Sequence, residues 1–435
     1  MKVSLFQGIL LGVCGAAALV GLFVFATYTG SNSGSSGIGK VVIWGELPQQ
    51  QMQGVLTQLT QNDQSLKDVS YVEKDPADFE SDLVSAIAAG QGPDLVLMSQ
   101  EDLVPLMSVI QTIPSSSLSA SEFTSSFTGG ASIWEAPGNA GAYGIPYLID
   151  PLVLYANGPM LSSDGIAQVP STWDALTGLV PKVTSEGVND SITHGLIALG
   201  EYSNVNDARA ILSALFFQAG VPITSWQSTG ILAPNLGLEA TDNGVQAGPA
   251  VVNFYAQFAD PSKTSYTWNS GFPNSEQAFA AGDIALYLGF ASEASYFTQA
   301  NPNLDLSTSP LPQPATATTK VTYGKIYAFA IPRGSANPTG ALAAATALLG
   351  SAADADAASA TGLAPALRSL LATTPNSPTD AIAYQSALYA QGWLSPAAPS
   401  VDQVFSVMIT SVTSGTLSAS AALANAQSAL GALVQ

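Results

Sequence analysis

The amino-acid sequence predicts an α/β protein of two lobes, preceded by an N-terminal transmembrane helix. Its 435 residues are enough for two compact domains, and 47% of them are hydrophobic, which is ample for buried cores. Short β-branched runs alternate with segments of helical periodicity, and this alternation is typical of an α/β fold. A long uncharged stretch near the amino terminus stands apart from that pattern.

The first 30 residues contain the predicted membrane segment. No charged residue occurs between Lys2 and Lys40, and the apolar run from Ile9 to Tyr28 has about the 20 residues that a spanning helix needs. Because Lys2 lies in the short segment that precedes the apolar run, the positive-inside rule keeps the amino terminus in the cytoplasm. We therefore expect a single-pass anchor in the cell membrane, with the globular body on the extracytoplasmic side.

Two other interpretations of this segment remain open. Residues 24–26 (VFA) resemble a signal-peptidase site, although the apolar run is long for a signal peptide. Cys14 would permit lipidation, but Val13 is bulky where a small residue is required. Residues 31–39 (SNSGSSGIG) then form a Gly/Ser linker, which would keep the globular body close to the membrane.

Strands and helices are predicted in alternation from Lys40 onward. The run KVVIW is β-branched and apolar, as expected of a buried strand, and helical spacing of apolar residues follows it. A glycine closes the second helix. The predicted order is a strand at residues 40–44, a helix from Pro48, a strand at residues 69–72, a helix from Asp78 to Gly90, and a strand at residues 94–98.

The segment from Tyr143 to Tyr155 contains two β-like runs separated by Asp150 and Pro151. Because proline cannot donate to a strand ladder, we expect a break here instead of one continuous strand. The segment is therefore predicted to cross between the lobes. A helix follows it, with Ser171 expected as its N-cap.

A second helix-glycine-strand unit is predicted further along the chain. Asn274 is expected to cap a helix over residues 275–281, and a strand follows at residues 283–288. Residues 323–331 predict another strand. Beyond Asn337 the sequence is rich in Ala and indicates mostly helices.

The charge composition excludes several classes of function. Thirty-one acidic residues against 11 basic ones give a formal charge of -20, which leaves too few cations to bind nucleic acid or anionic ligands. One His and one Cys cannot supply a zinc cluster, a disulfide framework or a Cys-His nucleophile pair. A Ser-His-Asp triad would have to use His194, which we interpret as a structural residue at a strand edge. We expect no metal and no cofactor.

Neutral polar residues replace the charges that this chain lacks. Only 10% of the residues are charged, against about 25% in ordinary domains. Ser, Thr, Asn and Gln keep their hydration when carboxylates become protonated. We therefore hypothesise a surface adapted to an exposed, acidic medium.

These features, in this order, resemble an extracellular solute-binding protein of the sugar-binding, maltodextrin-binding-like type, the receptor of an ABC importer. The resemblance extends from Lys40 to about Leu349. GQGPD, and YGIPY followed by LYAN, are its most specific motifs. The segments that carry it are VVIW, FESDLVSAIAAGQGPDLVLM, YGIPYLIDPLVLYAN, VPSTWDAL and FPNSEQAFAAGDIALYLG.

The resemblance implies a periplasmic-binding-protein-like (type II) fold, with the ligand in an interlobe cleft that closes by hinge bending. It also implies an ABC permease as partner and no catalysis, and we expect a monomer. Lobe 1 is assigned residues 40–148 and about 290–335, and lobe 2 residues 149–289. Residues 336–435 are assigned to a C-terminal helical region that completes the lobes.

Candidate ligand-binding residues follow from what a neutral sugar requires. Aromatic faces cover the apolar side of a sugar ring, and carboxylates and amides bind its hydroxyls. Ligands of open α/β sheets bind at the carboxyl ends of strands. The candidates are Trp44 and Glu46 after the first strand, Ser99, Gln100 and Glu101 after the third, Asp150 in the crossing segment, Trp226, Trp268 and Asn269 in polar loops, and Tyr327 and Trp393.

Structural roles are the alternatives for these residues. Trp44 would then be a core side chain, Glu101 a favourable residue at a helix N-terminus, and Asp150 the cap of a turn. Trp268 is singled out because a ligand could cover an indole ring in a polar loop.

Two other functions are weighed against sugar capture for import. A membrane-anchored glycoside hydrolase would need two carboxylates about 5 to 10 Å apart across a cleft. The acid pairs Asp354 with Asp356 and Asp63 with Asp68 lie on polar segments, which we interpret as solvent-exposed. A surface adhesive protein is favoured by the richness in Ser, Thr and Ala, but the α/β alternation argues against it.

Overall fold

The structure is a computed structural model that describes residues 37–187, 192–228, 230–240 and 244–434. The predicted membrane segment at residues 9–28, with its candidate cleavage site and Cys14, lies outside this part of the chain. Within it, no helix has both the length and the apolar character needed to cross a bilayer.

The strands are short, apart from two long ones in the middle and late parts of the chain. In chain order they are β1 (Val41–Gly45), β2 (Val69–Glu73), β3 (Leu95–Met98), β4 (Ile113–Pro114), β5 (Glu135–Ala136), β6 (Gly141–Ala142), β7 (Ile145–Asn157), β8 (Ser185–Glu186), β9 (Ile192–Ile197), β10 (Ile223–Trp226), β11 (Leu232–Asn235), β12 (Ile284–Phe290), β13 (Leu306–Pro310), β14 (Thr322–Ala330), β15 (Ala364–Pro365) and β16 (Ala390–Gln391).

The helices include the Ala-rich C-terminal group that the sequence predicts. In chain order they are α1 (Gln49–Asn62), α2 (Phe79–Ala88), α3 (Leu103–Leu106), α4 (Ala120–Ser126), α5 (Gly158–Ser163), α6 (Trp173–Val183), α7 (Ala208–Gln218), α8 (Ala247–Ala256), α9 (Ser275–Ala281), α10 (Ala294–Ala300), α11 (Pro338–Leu348), α12 (Ser351–Thr361), α13 (Arg368–Leu371), α14 (Pro378–Ala387), α15 (Ala398–Thr413) and α16 (Ala419–Leu433).

The predicted order of strands and helices over residues 40–98 is confirmed, with bounds that differ by one or two residues. Helix α1 buries Met52, Val55 and Leu56, which lie on one face because of their helical spacing. Strand β3 is buried on both faces, as expected of a parallel strand inside an α/β sheet. The α/β class is thus set by local periodicity.

The chain forms two compact units. The first contains residues up to Ile149 and Lys325–Thr374, and the second contains Asp150–Gly324 and the residues from Pro375 onward. The second unit therefore includes residues 290–324, which the sequence analysis assigned to lobe 1. The C-terminal region is shared between the units, because residues 336–374 belong to the first and later residues to the second.

The first unit is built on the strands β2, β1, β3 and β14, in that order across the sheet. β1 is parallel to β2 and to β3, and β14 is antiparallel to β3. A separate small sheet has the order β4-β6-β5. The parallel strands have their carboxyl ends at one edge, which is the edge that matters for the site.

The second unit is built on the end of β7, followed by β12, β9 and β8. β12 is antiparallel to β7 and parallel to β9, and β13 pairs with β7 on the other side. β10 and β11 form an antiparallel hairpin. All seven residues of β12 are buried, so this strand is central to the core of the unit.

One expectation about the crossing segment is wrong. β7 is a continuous strand that passes through Pro151, although the sequence analysis expects a break there. Ile149 pairs with β15 and Leu152 pairs with β12, so the proline stands where the strand changes partners. A missing backbone N–H is tolerated at such a point because no ladder is interrupted.

Two predicted caps also need correction. Thr172, not Ser171, is the N-cap of α6, and its Oγ1 accepts a hydrogen bond from the Ala175 N–H at 3.3 Å. Asn274 stands at the N-cap of α9, but its side chain makes no capping hydrogen bond. At the other end of α9, Gly282 has a left-handed φ of 84°, which agrees with its predicted role as the helix terminator.

Candidate functional site

Polar side chains stand at the adjacent ends of β1 and β3 in the first unit. The two strands are parallel, with Gly45 paired to Leu97, so the residues that follow them meet at one edge of the sheet. Glu46 follows β1, and Ser99 and Asp102 follow β3. This is the edge at which open α/β sheets bind their ligands.

Ser99 organises the turn that follows β3. Its Oγ accepts a hydrogen bond from the Glu101 N–H at 3.3 Å and donates one to Asp102 Oδ2 at 2.9 Å. Ser99 and Glu101 are both buried. The sequence analysis singles out these two residues and misses Asp102, although Asp102 follows the same strand and carries the same signal.

Strand β14 brings a cation to this edge. Because β14 is antiparallel to β3, with Ala328 opposite Met98, the first residues of β14 lie beyond the end of β3. Lys325 is half-buried there and interacts electrostatically with the carboxyl groups of Glu46 and Asp102. The sequence analysis does not identify Lys325, because pairing between strands so far apart in the chain is not visible in local patterns.

Gln100 and Tyr327 are both buried at the same edge. The Gln100 side chain has no exposed surface, and its Oε1 accepts a hydrogen bond from the Ile326 N–H at 2.6 Å. This bond joins the turn after β3 to β14. Gln100 therefore supports the position of its polar neighbours.

The Glu46 and Asp102 carboxyl groups share a hydrogen bond. Burial raises the pKa of Glu46 well above its usual range, and the charge of Asp102 raises it further, against the lowering effect of Lys325. Burial also raises the pKa of Asp102 to about 6, although its hydrogen bond with Ser99 lowers it. This pair therefore holds a proton in mildly acidic solution and can both donate and accept hydrogen bonds.

Trp44 is half-buried at the end of β1. The Lys74 Nζ lies 4.0 Å from the centroid of its ring, and the same nitrogen is 2.8 Å from Asp82 Oδ2. A cation held over an aromatic ring in this way is favourable. The indole is thus fixed in place while it keeps contact with solvent, as a ring that stacks on a ligand requires.

Asp150 supports a turn in the second unit. Leu152 of β7 pairs with Phe290 of β12, so Asp150 lies beside the residues that follow β12. Its carboxylate accepts hydrogen bonds from the Ser292 N–H at 3.1 Å and the Ser292 Oγ at 2.6 Å. The sequence analysis identifies Asp150 but not Ser292.

A second carboxyl pair lies in the same unit. Glu293 accepts hydrogen bonds from Tyr287 Oη and the Phe290 N–H, both at 2.6 Å. It also shares a hydrogen bond with Asp207. Burial raises the pKa of Glu293 well above its usual range, and the negative charge of Asp207 raises it further.

Trp268 is completely buried, unlike an indole that a ligand would cover. Its ring stacks on Phe272, with 4.4 Å between centroids, and its Nε1 donates to Asn204 Oδ1 at 3.0 Å. Asn269 is half-buried, and its Nδ2 donates to Tyr266 Oη at 2.9 Å. Phe272 occupies the face that the sequence analysis expects a sugar to cover.

The other two aromatic candidates have different surroundings. Trp226 ends β10, where it pairs with Leu232 and is half-buried. Trp393 is buried, donates from Nε1 to Ser213 Oγ at 3.0 Å, and stacks on Phe405. Trp393 therefore packs in the core of the second unit, whereas Trp226 keeps an accessible face.

The candidates thus form one cluster in the first unit and separate positions in the second. Carboxyl, hydroxyl and ammonium groups meet at the sheet edge of the first unit, and together they suit a neutral ligand with many hydroxyls. Among the described residues, no group of three or more His, Cys, Asp and Glu side chains is placed to hold a metal ion. The clustered candidates are Glu46, Ser99, Gln100, Glu101 and Tyr327.

Solved structures share this fold at low sequence identity. A cyclo/maltodextrin-binding protein complexed with maltotetraose superposes with a TM-score of 0.71 and 17% identity, covering 93% of this chain and 99% of its own. The cyclic α-maltosyl-1,6-maltose-binding protein of Arthrobacter globiformis gives 0.74 and 14%, covering 91% and 99%. CpMnBP1, solved with mannotriose bound, gives 0.66 and 18%, covering 90% and 99%.

Sequence comparison identifies the family. No curated protein matches the chain significantly in sequence. The family model described as bacterial extracellular solute-binding protein matches residues 58–385, which is most of the chain. The two-lobe α/β fold expected from the sequence is confirmed by the structural likeness. The chain belongs to the bacterial extracellular solute-binding protein family.

Proposed function

We propose that this protein captures a neutral oligosaccharide outside the cytoplasm and delivers it to an ABC importer. The observation that carries the proposal is the polar sheet edge of the first unit, where Glu46, Ser99 and Asp102 meet beside Lys325. Carboxyl and hydroxyl groups of this kind bind sugar hydroxyls as donors and acceptors. Trp44 supplies an aromatic face at the end of the neighbouring strand.

The charge of the chain supports a neutral ligand. With 31 acidic and 11 basic residues, the protein would repel phosphorylated or carboxylated sugars over most of its surface. The carboxyl groups of the site add to that repulsion locally. The structural neighbours solved with maltotetraose and mannotriose bind uncharged oligosaccharides, which is the ligand class that we propose here.

The family and the amino-terminal sequence support the location and the partner that we propose. Members of this family are extracellular receptors, and the apolar run at residues 9–28 would anchor the protein in the membrane. We propose that the Gly/Ser linker at residues 31–39 then holds the receptor near its permease. The ligand-bound form would be the one that the permease accepts.

A glycoside hydrolase is less well supported by the same residues. Hydrolysis requires two carboxyl groups about 5 to 10 Å apart, so that the sugar and, in inverting enzymes, a water fit between them. Glu46 and Asp102 instead share a hydrogen bond, as do Glu293 and Asp207. Such pairs leave no room for a glycosidic bond between the two carboxyls.

The first test is ligand binding by the full-length protein, purified in a detergent that has no sugar headgroup. Maltotetraose, mannotriose, their monosaccharides and a tripeptide would be compared by calorimetry and by the melting temperature. A ligand at 100 times its Kd should add about 2.7 kcal/mol to the unfolding free energy. We expect one of the oligosaccharides to raise the melting temperature and the tripeptide to leave it unchanged.

Sugars can also stabilise proteins without binding, so each oligosaccharide is compared with its monosaccharide at equal millimolar concentration. A response to the tripeptide alone would contradict the proposed ligand class. Release of reducing sugar during the titration would favour the hydrolase. If none of the compounds bound or changed the melting temperature, the proposal as a whole would be contradicted.

A further inference from the structure

Each unit contains a pair of neighbouring carboxyl groups. In the first unit, Glu46 follows β1 and Asp102 follows β3, and these strands are parallel neighbours. In the second unit, Glu293 lies just after β12, and Asp207 stands at the N-cap of α7, well beyond the end of β9. In each unit, the two carboxyl groups share a hydrogen bond.

Two carboxyl groups can hydrogen-bond to each other only when a proton lies between them, since an ionised carboxylate is an acceptor only. Each pair therefore carries at most one negative charge in this geometry. If the proton is lost, two like charges face each other at hydrogen-bond distance in a partly buried place. A pair of this kind changes from attraction to repulsion over a narrow range of pH.

The pair in the first unit differs from the pair in the second by its surroundings. The backbone N–H of Phe290 and Tyr287 Oη hold Glu293, which ties it to its own strand. Glu46 and Asp102 are half-buried at the sheet edge that we propose as the ligand site. A change of charge in the first pair thus takes place where the sugar would bind.

We propose that the Glu46–Asp102 pair makes ligand binding proton-linked: it binds sugar hydroxyls while it holds one proton, and it loses the ligand when that proton leaves. This inference rests on the function proposed above. When the shared proton turns from the other carboxyl to the ligand, the singly protonated pair offers a hydroxyl group a donor as well as acceptors. The doubly ionised pair offers acceptors only, and its two charges separate the side chains.

Other charged and titratable groups face this pair from the surrounding elements. Glu101, from the turn after β3, favours keeping the proton, whereas Lys325 of β14 favours losing it. On β2, Tyr71 interacts electrostatically with Glu46 and with Glu73. Burial outweighs Lys325, because the pKa values of Glu46 and Asp102 are both raised. The receptor is therefore expected to bind best in acid and to release its ligand as the pH rises.

The test is the Kd of the full-length protein for maltotetraose, or for mannotriose if that is the sugar that binds, between pH 4.5 and 8.5. We expect a constant Kd in acid and, above the upper pKa of the pair, a Kd that rises up to tenfold per pH unit. Titration in buffers of different ionisation enthalpy should then show the uptake of up to one proton per sugar bound.

Asp102→Asn and Glu46→Gln are the informative variants, since each amide keeps a donor and an acceptor without titrating. Each single variant keeps one titrating carboxyl, so the rise of the Kd should move to a different pH, and the double variant of Glu46→Gln with Asp102→Asn should bind with a pH-independent Kd. Asp68→Asn, which changes an exposed acid at the far end of β2 in the same unit, should keep the parental pH profile. Two different substitutions guard against one of them failing to fold.

A Kd that does not change with pH in the parent, or a pH dependence of the Kd that is unchanged in both single variants and in the double variant, would overturn the inference and leave the proposed function standing. Failure to bind any carbohydrate at any pH would overturn both. Proton uptake that persists in the double variant would assign the linkage to another group and would also overturn the inference.

Discussion

Asp354 lies beside Tyr147 inside the first unit, where burial raises the pKa of the phenol and the charge of Asp354 raises it further. Asp354 has no exposed surface, and neither its two carboxylate oxygens nor Tyr147 Oη has a hydrogen-bond partner among the described residues. Burial raises the pKa of Asp354 well above its usual range. The expectation that Asp354 is solvent-exposed is therefore wrong, because α12 turns this residue toward the core.

We expect Asp354→Ala to stabilise the protein near neutral pH. An acid whose pKa is higher in the folded state than in the unfolded state weakens the fold as the pH rises above about 4, the ordinary pKa of Asp. Removing an unpartnered buried carboxyl should raise the unfolding free energy at pH 7 by about 1 to 3 kcal/mol. Denaturant unfolding at pH 5 and pH 7 would measure the gain, which should be smaller at pH 5.

Asp356→Ala is the matched control, since Asp356 is on the same helix and accepts a hydrogen bond from Gln58 Nε2 at 2.7 Å. Its unfolding free energy should stay within about 0.5 kcal/mol of the parent and keep the parental pH dependence. An Asp354→Ala variant that is less stable than the parent at pH 7 would contradict the neutral, unpartnered state of this side chain.

Trp268 is expected to support the fold of the second unit. Trp268→Ala removes a fully buried ring and leaves Asn204 Oδ1 without its donor, so the unfolding free energy should fall by about 3 to 5 kcal/mol. Thermal unfolding measures this loss. Any sugar affinity of the folded variant should remain near that of the parent. A large loss of affinity in a variant of normal stability would instead support the ligand contact expected from the sequence.

Trp44, unlike Trp268, is expected to contribute to ligand binding. Its half-buried ring belongs to the strand that Glu46 follows, so Trp44→Ala should weaken oligosaccharide binding by about tenfold, or roughly 1.4 kcal/mol. Calorimetric titration gives the affinity, and Trp226→Ala serves as a comparison with another half-buried ring. Equal affinities of Trp44→Ala and the parent would remove Trp44 from the site.

Gly289 makes room for the carboxyl group of Glu293. A Cβ at this position would lie 2.3 Å from Tyr287 Cε1 and 2.8 Å from Glu293 Oε1. Gly289→Ala should therefore displace Glu293 and lower the unfolding free energy by about 1 to 3 kcal/mol. Gly178→Ala in α6, where a Cβ meets no atom within 4 Å, should raise it by about 0.5 to 1 kcal/mol. Equal melting temperatures of the two variants would contradict this packing.

The site could be predicted only in part. Residues that follow a predicted strand could be identified from the sequence, whereas a residue that is brought there by a distant strand could not. Glu46, Ser99 and Glu101 could be identified because a residue that follows a predicted parallel strand must lie at the carboxyl edge of the sheet. Lys325 could not, since its place depends on the register between β14 and β3. That register is fixed by contacts between segments more than 200 residues apart.

The aromatic candidates show a second limit to predicting site residues from the sequence. Trp268 and Trp393 are in different kinds of segment, yet both are buried with their indole N–H groups bonded inside the second unit. A polar neighbourhood in sequence does not reveal which side chains later cover a ring. Phe272 and Phe405 decide that, through tertiary packing.

The sequence by itself determined the α/β class, the order of strands and helices in the first unit and the helical C-terminal region. Each depends on periodicity and on glycine and proline positions within about 20 residues, which local sterics control. Only the tertiary structure decided that β7 continues through Pro151, that Asp354 is buried, and that Glu46 lies beside Asp102 and Glu293 beside Asp207. Those features depend on which distant segments pack together, because burial and like-charge proximity exist only after the chain has folded.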